Sequence, residues 1–287
     1  MTGSFEPILG RYLQVELLGR SHRVYVEEAG TGTPLLCLHT AGADTRQWRG
    51  LLNDKEVLDR FRVVAFDLPW HGKSSPPTGW HHTDYRLSTD DYLGMVLAVA
   101  DALDLERPIV MGCSIGGRLV LHLALSHPGR VGGVIGLESG AHVDPYYDLD
   151  WLHRPDVHGG EVCAAVVSGL IGPSASEADR WETLWHYMQS GPGVFKGDLW
   201  FYKVDGDLRP RLSDIDTTIC PLFLLTGEYD YSNSPADTQV VADAVPGASA
   251  VTMSGLGHFP MSEDYAAFRA YLLPVLDAAG RARKDRQ

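Results

Sequence analysis

The sequence predicts an α/β protein: a mostly parallel central sheet with helices on both faces and an inserted helical cap. Short apolar runs alternate with longer segments of helical period, the pattern of strand–helix–strand units. The strand-like runs are apolar throughout instead of alternating, as expected of strands buried on both faces. This rhythm stops over 140–215, where helical patterns and aromatics accumulate without a strand-like run. The expected organisation is a core built from 1–139 and 216–287, with a cap over 140–215.

Taken in order, strands are expected at 23–30 (RVYVEEAG), 35–39 (LLCLH), 62–67 (RVVAFD), 108–112 (PIVMG), 131–138 (VGGVIGLE), 221–227 (PLFLLTG) and 249–255 (SAVTMSG). Helices are expected at 45–60, 89–105, 117–128, near 235–245 and over 263–279, the last with a kink or break near Pro274. Within the cap, EVCAAVVSGLI and EADRWETLWHYMQS carry helical spacing.

Composition narrows the function. The chain has 287 residues, of which 44% are hydrophobic, enough for a large core. The net charge of −13 argues against nucleic acid as a partner. Cys37, Cys113, Cys163 and Cys220 are far apart, form no metal-ligand spacing and fit a reducing compartment. The first residues show no basic stretch followed by an apolar one, and no run is long enough for a bilayer. A cytoplasmic protein without a membrane or metal partner is expected.

The chemistry starts at Gly112-Cys113-Ser114-Ile115-Gly116, a G-x-S-x-G motif between a predicted strand and a predicted helix. A serine on such a sharp turn needs neighbours without side chains, and its hydroxyl then stands exposed to attack. That hydroxyl becomes nucleophilic only when a base takes its proton. His258, in SGLGHFPMSE, follows a late strand and precedes the last helix, with glycines before it. His122 and His127 lie on the helix after Ser114 and read as structural. His81 and His82 lie in a polar loop, and His153, His158 and His186 lie in the cap.

In these residues the chain resembles the α/β-hydrolase fold enzymes. The matching segments are LLCLHTAG, AFDLPWHGKS, MGCSIGG, LLTGEYDYSNSP and GLGHFP, in the family's order along nearly the whole chain. The resemblance implies Ser114 as nucleophile, His258 as general base and a carboxylate that orients His258. The family's usual acid position falls on Asp230. Glu138 is the alternative, because RVGGVIGLES resembles the haloalkane dehalogenases and the fungal zearalenone lactonase, which place their acid there. Dehalogenation is not implied, since those dehalogenases use an aspartate nucleophile where this chain has Ser114.

An acyl transfer also needs amide donors for the oxyanion. Position assigns these to Ile115 and Ala41, with the Thr40 amide as the alternative to that of Ala41. Thr40 replaces the family's usual glycine beside Ala41, and its hydroxyl is a further candidate donor. Trp70 stands where the family often has glycine, in a loop to which His71 contributes structurally. Thr40 and the cap residues Trp151, Trp181 and Trp185 are the expected substrate pocket. Their aromatic character suits an apolar or aromatic group.

The expected activity is therefore that of a cofactor-free serine hydrolase cleaving a small-molecule carboxylic ester or lactone. Two alternatives stay open. One is hydrolysis of a carbon–carbon bond, as in the meta-cleavage-product hydrolases, with Arg118 a candidate contact for the substrate carboxylate. The other is a slow-turnover ligand-binding member of the fold.

Overall fold

A computed structural model describes residues 3–143 and 159–286. Its eight strands are β1 (Leu9–Leu17), β2 (Arg20–Ala29), β3 (Thr33–Leu38), β4 (Phe61–Phe66), β5 (Ile109–Cys113), β6 (Gly133–Leu137), β7 (Leu222–Gly227) and β8 (Ser249–Met253). They form one sheet in the order β1-β2-β4-β3-β5-β6-β7-β8. The β1–β2 and β2–β4 pairings are antiparallel, and the remaining pairings are parallel.

The helices are α1 (Arg49–Leu52), α2 (Lys55–Leu58), α3 (Thr89–Ala102), α4 (Ile115–Ser126), α5 (Gly159–Ser168), α6 (Glu177–Met188), α7 (Val194–Trp200), α8 (Pro235–Ala244), α9 (Pro260–Glu263) and α10 (Tyr265–Lys284). The unbroken apolar runs of the strands follow from burial on both faces. In β3, Leu36 and Leu38 join a cluster with Val96 and Val99 of α3 and Leu119 of α4. Leu35 and Cys37 point the other way, into a cluster with Trp48 and with Phe268, Leu272 and Leu276 of α10. Among the described residues, the segment between β6 and β7 is helical and contains no strand.

Three elements differ from expectation. The helix expected over 45–60 is a 3₁₀ turn at Thr45–Trp48 followed by the single turns α1 and α2. Asp54 causes the break: it is extended, and its carboxylate accepts from the amides of Glu56 and Val57, restarting the chain as a new helix. The break expected near Pro274 is absent, and α10 runs through it to Lys284. β1, unforeseen from the sequence, is a largely exposed edge strand turned into β2 by Leu18 and Gly19. Both turn residues have positive φ (51° and 72°), as a two-residue type I′ hairpin loop requires. No helix among the described residues is long and apolar enough to cross a membrane.

Candidate active site

Ser114 sits at the strand-to-helix turn between β5 and α4 with φ 58° and ψ −112°. A non-glycine residue at such angles costs about 1–3 kcal/mol and persists only where its surroundings impose it. They do. The Ser114 N–H donates to the Leu137 carbonyl at 3.0 Å, and its carbonyl accepts from Arg118 N–H at 2.8 Å. The flanking glycines are steric necessities. A Cβ on Gly112 would lie 2.4 Å from the Gly116 carbonyl group, and one on Gly117 would lie 2.3 Å from the Leu137 oxygen.

His258 lies on the loop between β8 and α9. Its Nδ1 is 2.8 Å from Asp230 Oδ2, with both side chains buried. The carboxylate accepts, so Nδ1 carries the hydrogen and Nε2 keeps its lone pair. Asp230 is itself held by the amides of Ser232 (2.7 Å) and Asn233 (3.2 Å) on Oδ1. The His258 N–H donates to the Leu170 carbonyl at 2.9 Å. Sequence reasoning missed Glu263. Its buried carboxylate gathers the amides of Gly257, Phe259 and Gly172 and so shapes the histidine loop. A lone carboxylate just beyond a glycine-rich loop carries no sequence signal for this.

Glu138 does not take the place of Asp230 against the histidine ring. It is fully buried at φ 53°, with both oxygens 3.0 Å from the Gly227 amide. Ligating atoms of Glu138, Asp230 and His258 nevertheless fall within 4.8 Å of one another. Burial, then the charge of Asp230 and a hydrogen bond to it, push the Glu138 carboxyl well above the usual carboxylate range against the Gly227 amide.

The loop after β3 is fixed from several sides. His39 Nε2 accepts from Leu68 N–H at 3.1 Å, so Nδ1 carries the hydrogen and donates to the Thr40 carbonyl at 2.8 Å. Burial, then the neighbouring His71, lowers the His39 pKa to about 4, in keeping with this neutral tautomer. The Thr40 carbonyl also accepts from Ala43 N–H at 3.2 Å. In a planar trans peptide the Ala41 N–H points opposite to that carbonyl. The Thr40 amide is engaged with Gln47 Oε1 at 3.1 Å. The Thr40 hydroxyl also meets Gln47 Oε1 at 3.1 Å and makes a short contact with the Tyr187 hydroxyl.

Ser114, His258, Thr40 and Ala41 line one small cavity with Val167, Leu170, Tyr187, Phe195, Leu199, Tyr202, Ser232 and Phe259. Its volume is about 20 Å³, room for about one water. The pocket expectation needs correction. Trp181 and Trp185 are 58% and 55% exposed on the outer face of α6, where they line a separate open groove with Arg46 and Arg49. The buried face of α6 instead carries Thr183, Leu184 and Tyr187, and Tyr187 reaches the cavity. Trp151 lies outside the described residues. Trp70 has φ 79°, the reason glycine suits this position, and its ring packs on Tyr85 at 5.2 Å.

Arg118 is fully buried and does not line the cavity. Its Nε donates to the Gly140 carbonyl, and its Nη1 donates to those of Tyr202 (3.4 Å) and Gly206 (3.1 Å). It therefore ties together both ends of the helical segment between β6 and β7.

Residues 33–157 match a family model described as alpha/beta hydrolase fold. The chain is 36% identical over 126 residues to a putative non-heme haloperoxidase of Mycobacterium phage D29, covering 44% of this chain and 42% of that protein. It is 29% identical over 153 residues to the 2-hydroxymuconate semialdehyde hydrolase of Pseudomonas sp. strain CF600, covering 52% and 51%. The chain thus spans about half the length of these two curated relatives. The enol-lactonase from Burkholderia xenovorans LB400 superposes with a TM-score of 0.80 over 93% of this chain and 100% of its own, at 20% identity. Sheet order, the strained serine turn and these matches lead to one assignment: the chain has the α/β-hydrolase fold.

Proposed function

We propose that this protein is a serine hydrolase of carboxylic esters or lactones, working without a cofactor. Ser114 is the nucleophile, His258 the general base and Asp230 the acid that orients it. The amides of Ile115 and Ala41 receive the oxyanion, and the described helical residues 159–215 form a cap over the site. The observation that carries this reading is the 2.8 Å Asp230–His258 hydrogen bond, which leaves Nε2 as the basic nitrogen in a cavity that Ser114 also lines.

Ser114 Oγ attacks the carbonyl carbon and passes its proton to His258 Nε2. The carbonyl oxygen becomes an anion facing the two amides, one of them at the N-terminus of α4. The tetrahedral centre then collapses, and His258 returns the proton to the leaving alkoxide. Water repeats the sequence on the acyl-enzyme and restores the serine. Asp230 stabilises the imidazolium at each stage and stays ionised.

The apolar lining from Val167, Leu170, Phe195, Leu199 and Phe259 supports an apolar acyl or ring substrate. The likeness to an enol-lactonase supports including lactones. The 2-hydroxymuconate semialdehyde hydrolase relative favours a second reading, cleavage of a carbon–carbon bond beside a ketone. Arg118 gives that reading no support, because main-chain carbonyls occupy its Nε and Nη1.

A p-nitrophenyl ester tests the first reading. The wild type is expected to release nitrophenol with a burst equal to the enzyme concentration, and Ser114→Ala to show neither burst nor turnover. Equal rates in the two proteins would exclude the serine mechanism. Tight ligand binding without turnover would favour a receptor, and turnover only of a ring-fission dienoate would favour carbon–carbon cleavage.

A further inference from the structure

Donors from separate segments converge on one buried carboxylate, Asp198 of α7. Its Oδ2 accepts from the Gly42 amide and from His71 Nε2, each at 2.7 Å, and its Oδ1 accepts from the Tyr85 hydroxyl at 2.8 Å. Neither Asp198 nor His71 exposes any side-chain surface. His71 Nδ1 faces the Pro69 carbonyl at 3.0 Å. Both ring nitrogens therefore face acceptors, and both must carry hydrogens. The His71–Asp198 contact is a buried ion pair between the loop after β4 and a helix of the cap. Such pairs are a weak source of stability, because desolvation offsets most of the attraction.

Asp198 holds Gly42. The Gly42 amide belongs to the peptide that follows Ala41. The peptide that precedes Ala41 is held through the Thr40 carbonyl, by His39 Nδ1 and the Ala43 amide. With both flanking peptide planes fixed, φ and ψ of Ala41 are fixed, and so is the direction of its N–H. Side-chain packing leaves little slack. Gly42 has φ 67°, and a Cβ there would lie 3.0 Å from the Phe195 ring of α7. A Cβ on Gly197 would lie 2.2 Å from Tyr85, so α7 seats directly on that residue.

We propose that Asp198 is a positioning residue for the oxyanion loop: the cap, through α7, supplies the carboxylate that holds the Ala41–Gly42 peptide, and the second oxyanion donor is set only while α7 is docked. This rests on the hydrolase reading above. Asp198 touches no substrate. It acts through Gly42 and His71 on the aim of the Ala41 amide, and a small misplacement at such a site is enough to cost a large factor in rate.

The test compares wild type, Asp198→Asn and Asp198→Ala on a p-nitrophenyl ester and on a trifluoromethyl ketone of the same acyl group. The ketone reacts with Ser114 Oγ, whose proton passes to His258, and its carbonyl oxygen becomes an anion in the same place as the ester's. Asn preserves size, so it carries the test if the alanine variant fails to fold. For Asp198→Asn we expect kcat to fall about 10- to 100-fold with KM changed less than about threefold. The ketone Ki should rise by the factor by which kcat/KM falls. A residue that only clamps the cap would shift KM and melting temperature and leave the ketone Ki unmoved. That result, or an unchanged kcat, overturns the proposal while leaving the hydrolase reading intact. A wild type that neither turns over the ester nor binds the ketone, and behaves like Ser114→Ala, overturns the hydrolase reading and this proposal together.

Discussion

Asp230 Oδ2 meets His258 Nδ1 at 2.8 Å, while Glu138, buried beside them, faces the Gly227 amide with both oxygens at 3.0 Å. Two buried carboxyls this close cannot both ionise cheaply, and the one touching the imidazole is the one that benefits from charge. Asp230→Asn should therefore lower kcat by about 10⁴-fold, the cost of losing the orienting anion. Glu138→Gln mimics a protonated glutamate in shape and should stay within about tenfold of wild type. Ester hydrolysis by the two variants checks this. The reverse order of losses would make Glu138 the acid.

The buried His71–Asp198 pair makes a prediction about pH. Burial pulls the His71 pKa down, but the Asp198 charge and hydrogen bond and the Pro69 carbonyl more than reverse this, leaving it above the ordinary 6.5. A histidine raised by its partner stabilises the fold fully below its unfolded pKa and loses that contribution as pH rises through the folded value. The unfolding free-energy gap between wild type and His71→Gln should thus narrow from pH 6 to pH 9 in urea titrations. Three further titratable groups stand near His71. Tyr85 packs its ring at 5.9 Å, and burial holds its hydroxyl well above the ordinary 10. His39 packs its ring at 4.8 Å and stays neutral throughout this range. Asp67, pushed up to about 7 by burial and the Asp44 charge, favours the charged imidazole as it ionises, which slows the narrowing without reversing it. A gap that widens with pH would mean His71 is held neutral.

The serine turn should be intolerant of a single methyl group. Gly112→Ala would set a Cβ 2.4 Å from backbone atoms of Gly116, with no flexible side chain to yield. A loss of about 1–3 kcal/mol or more is expected, seen as a lower melting temperature with activity lost in parallel. Gly129→Ala, at a site with open space around the new Cβ, serves as the control and should melt close to wild type.

Placement of the tryptophans on α6 separates pocket from surface. Trp181→Ala and Trp185→Ala should change KM less than about twofold, since both side chains stand in solvent away from Ser114. Val167→Phe, which adds a ring to the cavity lining, should raise KM for bulky acyl esters by about tenfold or more while acetyl esters are affected less. Steady-state kinetics with an ester chain-length series measures both effects.

The parts of this molecule that a short stretch of sequence determines were readable from it. The turn at Ser114 is local: two glycines bracket the serine between strand and helix, and the backbone angles follow from that spacing. The two-sided apolar runs likewise give the parallel sheet. The strand β1 was hidden because its face is mostly exposed and its turn is Leu18-Gly19, not the Asn-Gly pair that usually announces such a hairpin. The choice between Trp185 and Tyr187 was hidden for a different reason. Both lie on an aromatic-rich helix, and only the core packed against it decides which face turns inward. Asp198 and Glu263 were illegible in the sequence because their partners come from remote segments, and a carboxylate's neighbours in sequence say nothing of donors that arrive from elsewhere.

The cavity at Ser114 has a kinetic corollary. A chamber with space for about one solvent molecule has no room for an acyl chain as it stands, so the side chains lining it must move aside before a productive encounter. If that rearrangement is slow, it sets one ceiling on capture for all substrates. Intrinsically reactive and sluggish esters would then converge on a common kcat/KM. Added viscosity would lower that shared limit without touching the chemistry behind it.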